Sequence, residues 1–170
     1  MTKCRLIIEG VDGTGKTTIA NALAPYLNAH VYKSGREHKL FGEKNAQLNV
    51  LKWAVYEQLK MVELCEIDII FDRLFPSEWV YSKAFNRESD NNLVLSYDRW
   101  WNKLGGKIVF LTKSNNTKDD EIIDKEKYAE IEALYAKYAE ESTCDVLVLD
   151  TSDEDIAVQI NKILEFIGVE

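Results

Sequence analysis

The segment IIEGVDGTGKTT, residues 7–18, decides the expected fold. It contains the pattern G-x-x-x-x-G-K-[ST] at Gly10, Gly15, Lys16 and Thr17, after an apolar run and before a helical pattern. The glycines allow such a loop to curl so that its backbone N–H groups point at phosphate oxygens. The segment therefore predicts a loop that holds a nucleoside triphosphate, with Lys16 on the β- and γ-phosphates and the Thr17 hydroxyl on magnesium.

The composition is that of an ordinary soluble domain. The chain has 170 residues, of which 46% are hydrophobic and 29% charged, which predicts one domain with one core. The net charge of -8 argues against a general nucleic-acid binder. Cys4, Cys65 and Cys144 are far apart and lack metal-site spacing, which is typical of reduced thiols. No apolar run approaches the roughly 20 residues of a membrane span, so we expect a cytoplasmic protein without a membrane partner.

Short β-rich runs alternate with longer helical patterns along the chain. Strands are predicted at residues 4–9, 30–33, 67–72, 107–112 and 145–150. Helices are predicted at residues 15–27, 43–65, 77–104, 124–141 and 154–167, with the third interrupted near Asn91 and Asn92. Buried strands separated by helices indicate an α/β domain with a parallel sheet covered on both faces.

A phosphate loop alone leaves ATPases, GTPases, nucleotide kinases and motor domains open. A GTPase would need an N-K-x-D sequence and a D-x-x-G switch, and neither lies in a suitable place. The large ATPase modules need a longer chain. A small kinase is the class that remains.

The third predicted strand ends in Asp72 and Arg73, within FDRLFPSEWVYS. A carboxylate at the carboxyl end of a parallel strand beside the loop is suited to a magnesium-bound water. An adjacent arginine is suited to gripping an anion with two hydrogen bonds. Elsewhere such a pair would be read as a surface ion pair, but its position beside a phosphate loop favours a functional role.

The segments EGVDGTGKTT and DRLFPSEWVYS together resemble the thymidylate kinase family, including the small nucleotide kinases of some bacteriophages. The order of elements fits this family over nearly the whole chain. The resemblance implies a P-loop nucleoside/nucleotide kinase fold, with a five-stranded parallel sheet of order 2-3-1-4-5 flanked by helices. It also implies one kinase domain over residues 1–170, ATP and Mg²⁺ as cofactors, and a deoxynucleoside monophosphate as acceptor. Homodimers are common in this family, so a homodimer is a further expectation.

Residue roles follow from the same resemblance. Asp12 would contact the 3′-hydroxyl of the acceptor's deoxyribose, Asp72 would serve magnesium with Thr17, and Arg73 would clamp the acceptor phosphate. Tyr81 would sit against the sugar or base, or would be a core aromatic, and Ser77 would touch the acceptor or cap a helix. The loop residues expected to bind ATP are Gly10, Asp12, Gly13, Thr14, Gly15, Lys16, Thr17 and Thr18.

The choice of acceptor depends on the charges around the site. A nucleoside hydroxyl needs a carboxylate base, whereas a monophosphate is already anionic and needs positive charge instead. The second predicted strand is followed by KSGREH, with Lys33 and Arg36 as cations and Glu37 as the one candidate base. Arg36 together with Arg73 favours a monophosphate. A nucleoside kinase and a non-catalytic nucleotide sensor remain as alternatives.

The family places arginines in a lid loop after the fourth strand, here at about residues 113–121. This segment contains Lys113 and Lys118 but no arginine. A lysine carries its charge on one nitrogen and cannot form the two parallel hydrogen bonds that an arginine forms with a phosphate. Lys118 is the better catalytic candidate because it precedes DDEIID, as a family arginine often does.

The acceptor's base is the least determined part of the site. In LNVLKWAVYEQLK, Trp53 or Tyr56 would stack on the base and Gln58 would bond its edge, although aromatics at helical spacing are often core residues. Trp100 and Trp101 point to different faces of a helix, which makes them candidates for a dimer contact.

Overall fold

The computed structural model describes residues 3–35, 46–114, 125–152 and 155–169. Five parallel strands form one sheet in the order β2-β3-β1-β4-β5, as the resemblance implied. The strands are β1 (Arg5–Gly10), β2 (His30–Lys33), β3 (Ile69–Asp72), β4 (Lys107–Thr112) and β5 (Val146–Asp150).

Helices cover the sheet on both sides. They are α1 (Lys16–Leu27), α2 (Ala46–Asn49), α3 (Tyr56–Cys65), α4 (Phe75–Ala84), α5 (Asn91–Lys103), α6 (Lys125–Glu141) and α7 (Ile156–Ile167). A π-helical segment, Val50–Val55, joins α2 to α3. None of the helices in the described ranges is long and apolar enough to cross a membrane.

Two helix predictions need correction. The predicted helix 77–104 is two helices, and the break lies at residues 85–90 rather than at Asn91 and Asn92. The reason is that Asp90 caps α5, because its side chain accepts a hydrogen bond from the backbone N–H of Leu93 at 3.0 Å. Helix α4 also begins earlier than predicted, at Phe75, with Pro76 in its first turn.

Alternation along β1 distributes its side chains between two apolar clusters. Leu6 and Ile8 pack with α1 and α7, whereas Ile7 packs on the other side of the sheet with α3 to α6. The same alternation directs Glu9, the neighbour of Ile8, to the side of Ile7, where it is fully buried. The Glu9 carboxylate thus lies beneath α4 and α6, and because it is buried it needs hydrogen-bond donors from these elements.

The two adjacent tryptophans of α5 have different environments. Trp101 is fully buried in the core and packs edge-on against Phe71, so it is not a dimer contact. Trp100 is half-buried and packs against Tyr56, with ring centroids 5.7 Å apart.

Asp98 ties the end of α6 to α5. Its buried carboxylate accepts hydrogen bonds from the hydroxyls of Tyr138, Ser142 and Thr143 and from the backbone N–H of Thr143, at 2.6–2.9 Å. One charged side chain therefore satisfies four donors at the turn that leads into β5.

We expect Asp98→Ala to lower the free energy of unfolding by about 3 kcal/mol, because the donors lose a charged acceptor. Urea denaturation followed by circular dichroism measures this change. Asp145→Ala is the control, since it removes an exposed carboxylate 3.7 Å from Lys107 and should cost less than about 1 kcal/mol. Equal effects of the two substitutions would contradict the role assigned to Asp98.

Candidate active site

The phosphate loop connects the end of β1 to the start of α1. Gly10 has φ +142°, and a Cβ at this position would collide with the backbone carbonyl oxygen of Leu111 in β4. Gly13 and Gly15 have φ values of +86° and +91°, in the left-handed region that glycine adopts without strain. The glycine pattern in the sequence thus reflects one close backbone approach and two turns.

Lys16 is the first residue of α1 and its side chain is buried inside the loop. Its Nζ donates to the carbonyl oxygen of Val11 at 2.7 Å and lies 3.6 Å from a carboxylate oxygen of Asp12. Burial, assisted by the positive charge of Arg73, lowers the pKa of Lys16 to about 8, although nearby carboxylates oppose this shift. An incoming phosphate would stabilise the protonated form.

The remaining loop threonines differ in their surroundings. Thr14 is buried, and its hydroxyl donates to the carbonyl oxygen of Val11 at 2.8 Å. The Thr14 carbonyl accepts a hydrogen bond from the hydroxyl of Thr151, which follows β5. Thr18 is exposed on α1. This hydrogen bond therefore links the phosphate loop to the end of β5.

Thr17 and Asp72 lie together beside the loop. Asp72 pairs in register with Ile8, so the end of β3 lies next to the end of β1. The Thr17 hydroxyl donates to Asp72 Oδ2 at 2.5 Å. Hydroxyl and carboxylate oxygens suit Mg²⁺, which needs few protein ligands when phosphates supply others. Within the described residues no cluster of three or more acidic, histidine or cysteine side chains forms a larger metal cage.

Arg73 is held by contacts from three directions. Its Nη2 lies 2.7 Å from Asp12 Oδ1, and its Nη1 donates to Ser77 Oγ and to the hydroxyl of Tyr135, each at 3.2 Å. Its guanidinium carbon lies 5.3 Å from the centre of the Tyr81 ring. The backbone of Arg73 has φ +70°, which costs a non-glycine residue of the order of 1 kcal/mol. The backbone of Arg73 is thus strained, while the contacts of its side chain fix the orientation of the guanidinium.

Glu9 is a site residue that the sequence analysis missed. Its carboxylate accepts hydrogen bonds from the backbone N–H groups of Leu74 and Ser77, from Ser77 Oγ, and from the hydroxyl of Tyr135, at 2.6–3.2 Å. It also lies 3.9 Å from Arg73 Nη1. The sequence contained a signal for Glu9, because this residue continues the apolar run of the predicted strand CRLIIE and therefore faces the same side of the sheet as Ile7. Tyr135, which is 126 residues away in the chain, offered no comparable signal.

Charges in the site shift several pKa values. Partial burial would raise the pKa of Asp12, but the positive charges of Arg73 and Lys16 outweigh burial and lower it. Burial, together with the negative charge of Glu9, raises the pKa of Tyr135 well above its usual value. Asp12 is therefore an anion and Tyr135 a neutral donor at physiological pH.

A cavity of about 400 Å³ opens beside Arg73. The predicted residues Asp12, Arg73, Ser77 and Tyr81 line it, as do Glu78 and Arg87, which sequence reasoning did not single out. Its further described lining residues are Ser34, Gly35, Gln47, Val50, Leu51, Val55, Leu74, Phe75 and Phe85.

The predicted base contacts lie elsewhere. Trp53 and Tyr56 are 62% and 43% exposed, and neither is among the described residues that line the cavity. Gln58 is buried but is also absent from that lining. The π-helical segment contributes Val50, Leu51 and Val55 to the cavity instead, so the structure does not bring the predicted aromatics to this cavity.

Three predicted residues, Arg36, Glu37 and Lys118, lie outside the described residues. Lys113 is described, and its backbone N–H donates to Glu132 Oε1 at 3.4 Å. Lys33 ends β2 and is exposed. The roles of Arg36 and Lys118 stay predictions.

The sheet order and the loop between β1 and α1 define the P-loop kinase fold. Solved structures with this fold superpose over nearly the whole chain. The YorR protein of Bacillus subtilis, in complex with phosphorylated GDP, has a TM-score of 0.70 at 19% identity, covering 96% of this chain and 95% of that chain. The thymidylate kinase of Ehrlichia chaffeensis has a TM-score of 0.64 at 18% identity, with coverages of 97% and 98%.

A deoxyadenosine kinase from M. mycoides, with dCMP and dCDP bound, has a TM-score of 0.60 at 18% identity, with coverages of 96% and 98%. The chain matches no family model, and a search of curated proteins finds no similar sequence. At these identities the similarity establishes the fold, and the predicted P-loop kinase fold is confirmed.

We expect ATP binding to weaken as the pH rises past the pKa of Lys16. The protonated amine attracts the phosphates, so the dissociation constant should rise about tenfold between pH 7 and pH 9. Titration calorimetry with ATP and Mg²⁺, without acceptor, measures this change. Lys16→Ala should bind weakly with little pH dependence, whereas Lys3→Ala, at an exposed lysine, should follow the original profile. Binding that does not vary with pH would contradict this role.

Proposed function

We propose that the protein is an ATP-dependent deoxynucleoside monophosphate kinase, similar to thymidylate kinase. It transfers the γ-phosphoryl group of ATP to a monophosphate and releases a deoxynucleoside diphosphate. The observation that carries this proposal is the position of Arg73, which lines the cavity and contacts Asp12 of the phosphate loop. A fixed guanidinium between the donor loop and a cavity is what an anionic acceptor requires.

The carboxylates around Arg73 support a monophosphate rather than a nucleoside. Glu9 already accepts four hydrogen bonds, and Asp72 accepts one from Thr17. The pKa of Asp12 is lowered, as described above, which makes it a poor general base. The three described carboxylates beside Arg73 and the phosphate loop, Glu9, Asp12 and Asp72, are thus engaged or weakly basic.

Each group has a separate task in this proposal. Lys16 neutralises the β- and γ-phosphates, and Arg73 orients the acceptor phosphate towards them. Asp12 accepts a hydrogen bond from the 3′-hydroxyl of the sugar. Thr17 and Asp72 would hold Mg²⁺, which neutralises and orients the phosphates when bound.

Residues outside the described ranges complete the proposal. Arg36 adds a second cation at the acceptor phosphate, and Lys118 of the lid loop neutralises charge in the transition state. One kinase domain over residues 1–170, a cytoplasmic location and a homodimer remain part of this proposal. The thymidylate kinase and deoxyadenosine kinase with the same fold support the choice of a deoxynucleotide substrate.

A panel of acceptors tests the proposed function. With ATP and Mg²⁺ in a coupled assay, we expect phosphorylation of dNMPs, and at least about a hundredfold lower kcat/KM for free deoxynucleosides, because the described carboxylates beside Arg73 and the phosphate loop are engaged or weakly basic. Transfer to nucleosides without transfer to any monophosphate would show that Arg73 is not an acceptor clamp. Tight ATP binding without any transfer would indicate a nucleotide sensor.

Arg73→Lys tests the clamp directly. Lysine keeps the charge but loses the bidentate fork, so kcat/KM for the acceptor should fall about a hundredfold, while KM for ATP changes by less than about threefold. Arg99→Lys is the control, since Arg99 is exposed on α5, donates a hydrogen bond to Ser96 of the same helix and is absent from the described cavity lining. If kcat/KM falls equally for ATP and for the acceptor, Arg73 does not act selectively on the acceptor phosphate.

A further inference from the structure

We propose that Glu78 and Arg87 read the edge of the acceptor's base and favour the amino-bearing bases cytosine, adenine and guanine over thymine and uracil. This inference rests on the proposed function and deepens it, because it names the substrate class. Both residues line the cavity that contains Arg73.

The two side chains form a pair within the cavity wall. Glu78 lies in the first turn of α4, and Arg87 follows that helix. Glu78 Oε2 lies 3.4 Å from Arg87 Nη2, and the Glu78 side chain is only 11% exposed. The backbone N–H of Arg87 donates to the carbonyl oxygen of Ser82 at 2.8 Å, which fixes the chain where the arginine turns back towards α4.

The second carboxylate oxygen carries the inference. Glu78 Oε1 is buried and makes no hydrogen bond with any described residue. A buried acceptor without a donor destabilises the protein, and more so when it is charged. A ligand N–H that reaches this oxygen would remove that destabilisation, so the cavity has an acceptor suited to an N–H group of its substrate.

The position of the pair suits the base rather than the phosphate. Arg73 and Asp12 occupy the end of the cavity next to the phosphate loop. Glu78 and Tyr81 are three residues apart on α4, so they share one face of the helix. If the acceptor phosphate lies on Arg73 and the sugar lies near Asp12 and Tyr81, the base lies beside Glu78 and Arg87.

The chemistry of the pair selects between bases. A carboxylate only accepts hydrogen bonds and a guanidinium only donates them. Cytosine, adenine and guanine each offer an N–H beside an acceptor, with no carbonyl on the other side of that N–H. In thymine and uracil two carbonyl oxygens flank the ring N–H, so one of them would face the carboxylate. This repulsion, like any mismatched base contact, should weaken the binding of thymine and uracil about tenfold or more.

The first test compares the five acceptors dCMP, dAMP, dGMP, dTMP and dUMP. We expect the best amino-bearing monophosphate to exceed dTMP and dUMP in kcat/KM by about tenfold or more. Calorimetric binding of the same monophosphates without ATP should give the same order. If dTMP or dUMP equals or exceeds the amino-bearing acceptors, the inference is overturned while the proposed kinase activity stands.

The second test replaces the carboxylate. Glu78→Gln introduces an amide that also donates, so the ratio of kcat/KM between the best amino-bearing acceptor and dTMP should fall towards one, mainly through KM. Glu63→Gln is the matched control, because Glu63 pairs with Lys60 at 2.6 Å outside the described cavity lining, and its ratio should not change. An unchanged ratio in Glu78→Gln would overturn the inference.

Failure of the proposed function gives a different result. If only nucleosides are phosphorylated, the monophosphate proposal is wrong, and the preference for amino-bearing bases is then scored on the nucleosides themselves. If ATP binds but no acceptor is phosphorylated or bound in calorimetry, both the function and the base preference are wrong.

Discussion

The buried carboxylate of Glu9 is the constraint on which the site depends. Strand alternation places it on the side of the sheet beneath α4 and α6, where its side chain is fully buried and its charge needs hydrogen-bond donors. Its four hydrogen bonds join the start of α4, at Leu74 and Ser77, to Tyr135 of α6. The turn between β3 and α4 is thereby held in one conformation. Arg73 lies in this turn, so its left-handed backbone and its orientation follow from a group buried behind it.

The charges of the site bear on how it would hold phosphate groups. Lys16 and Arg73 are two positive groups, and Glu9, Asp12 and Asp72 are three negative ones, which leaves one net negative charge among these described residues. Several phosphate groups brought into such a site would repel one another and the carboxylates. The proposed reaction would therefore need magnesium and cations from neighbouring segments to balance the transferring group.

In the proposed kinase, the fold supplies the donor half of the site, and α4 supplies much of the acceptor half. Proteins with this fold share the loop between β1 and α1, but the fold alone does not fix the acceptor. The described residues that line the cavity beside Arg73 come mainly from α4, from the segment after it and from the π-helical segment. The role proposed for Glu78 and Arg87 would place base selectivity on α4 and on the segment that follows it.

The sequence by itself determined the phosphate loop and the alternation of strands and helices, and with the family resemblance it predicted the sheet order. These features are local: a phosphate loop needs glycines and backbone N–H groups within one short segment, and buried strands show as short apolar runs. Only the tertiary structure decided the contact of Glu9 with Tyr135, the return of Arg87 to Glu78, and the outward direction of Trp53. Each of these depends on how helices pack over the sheet or turn at their ends, because such packing joins residues whose separation in the chain carries no periodic signal.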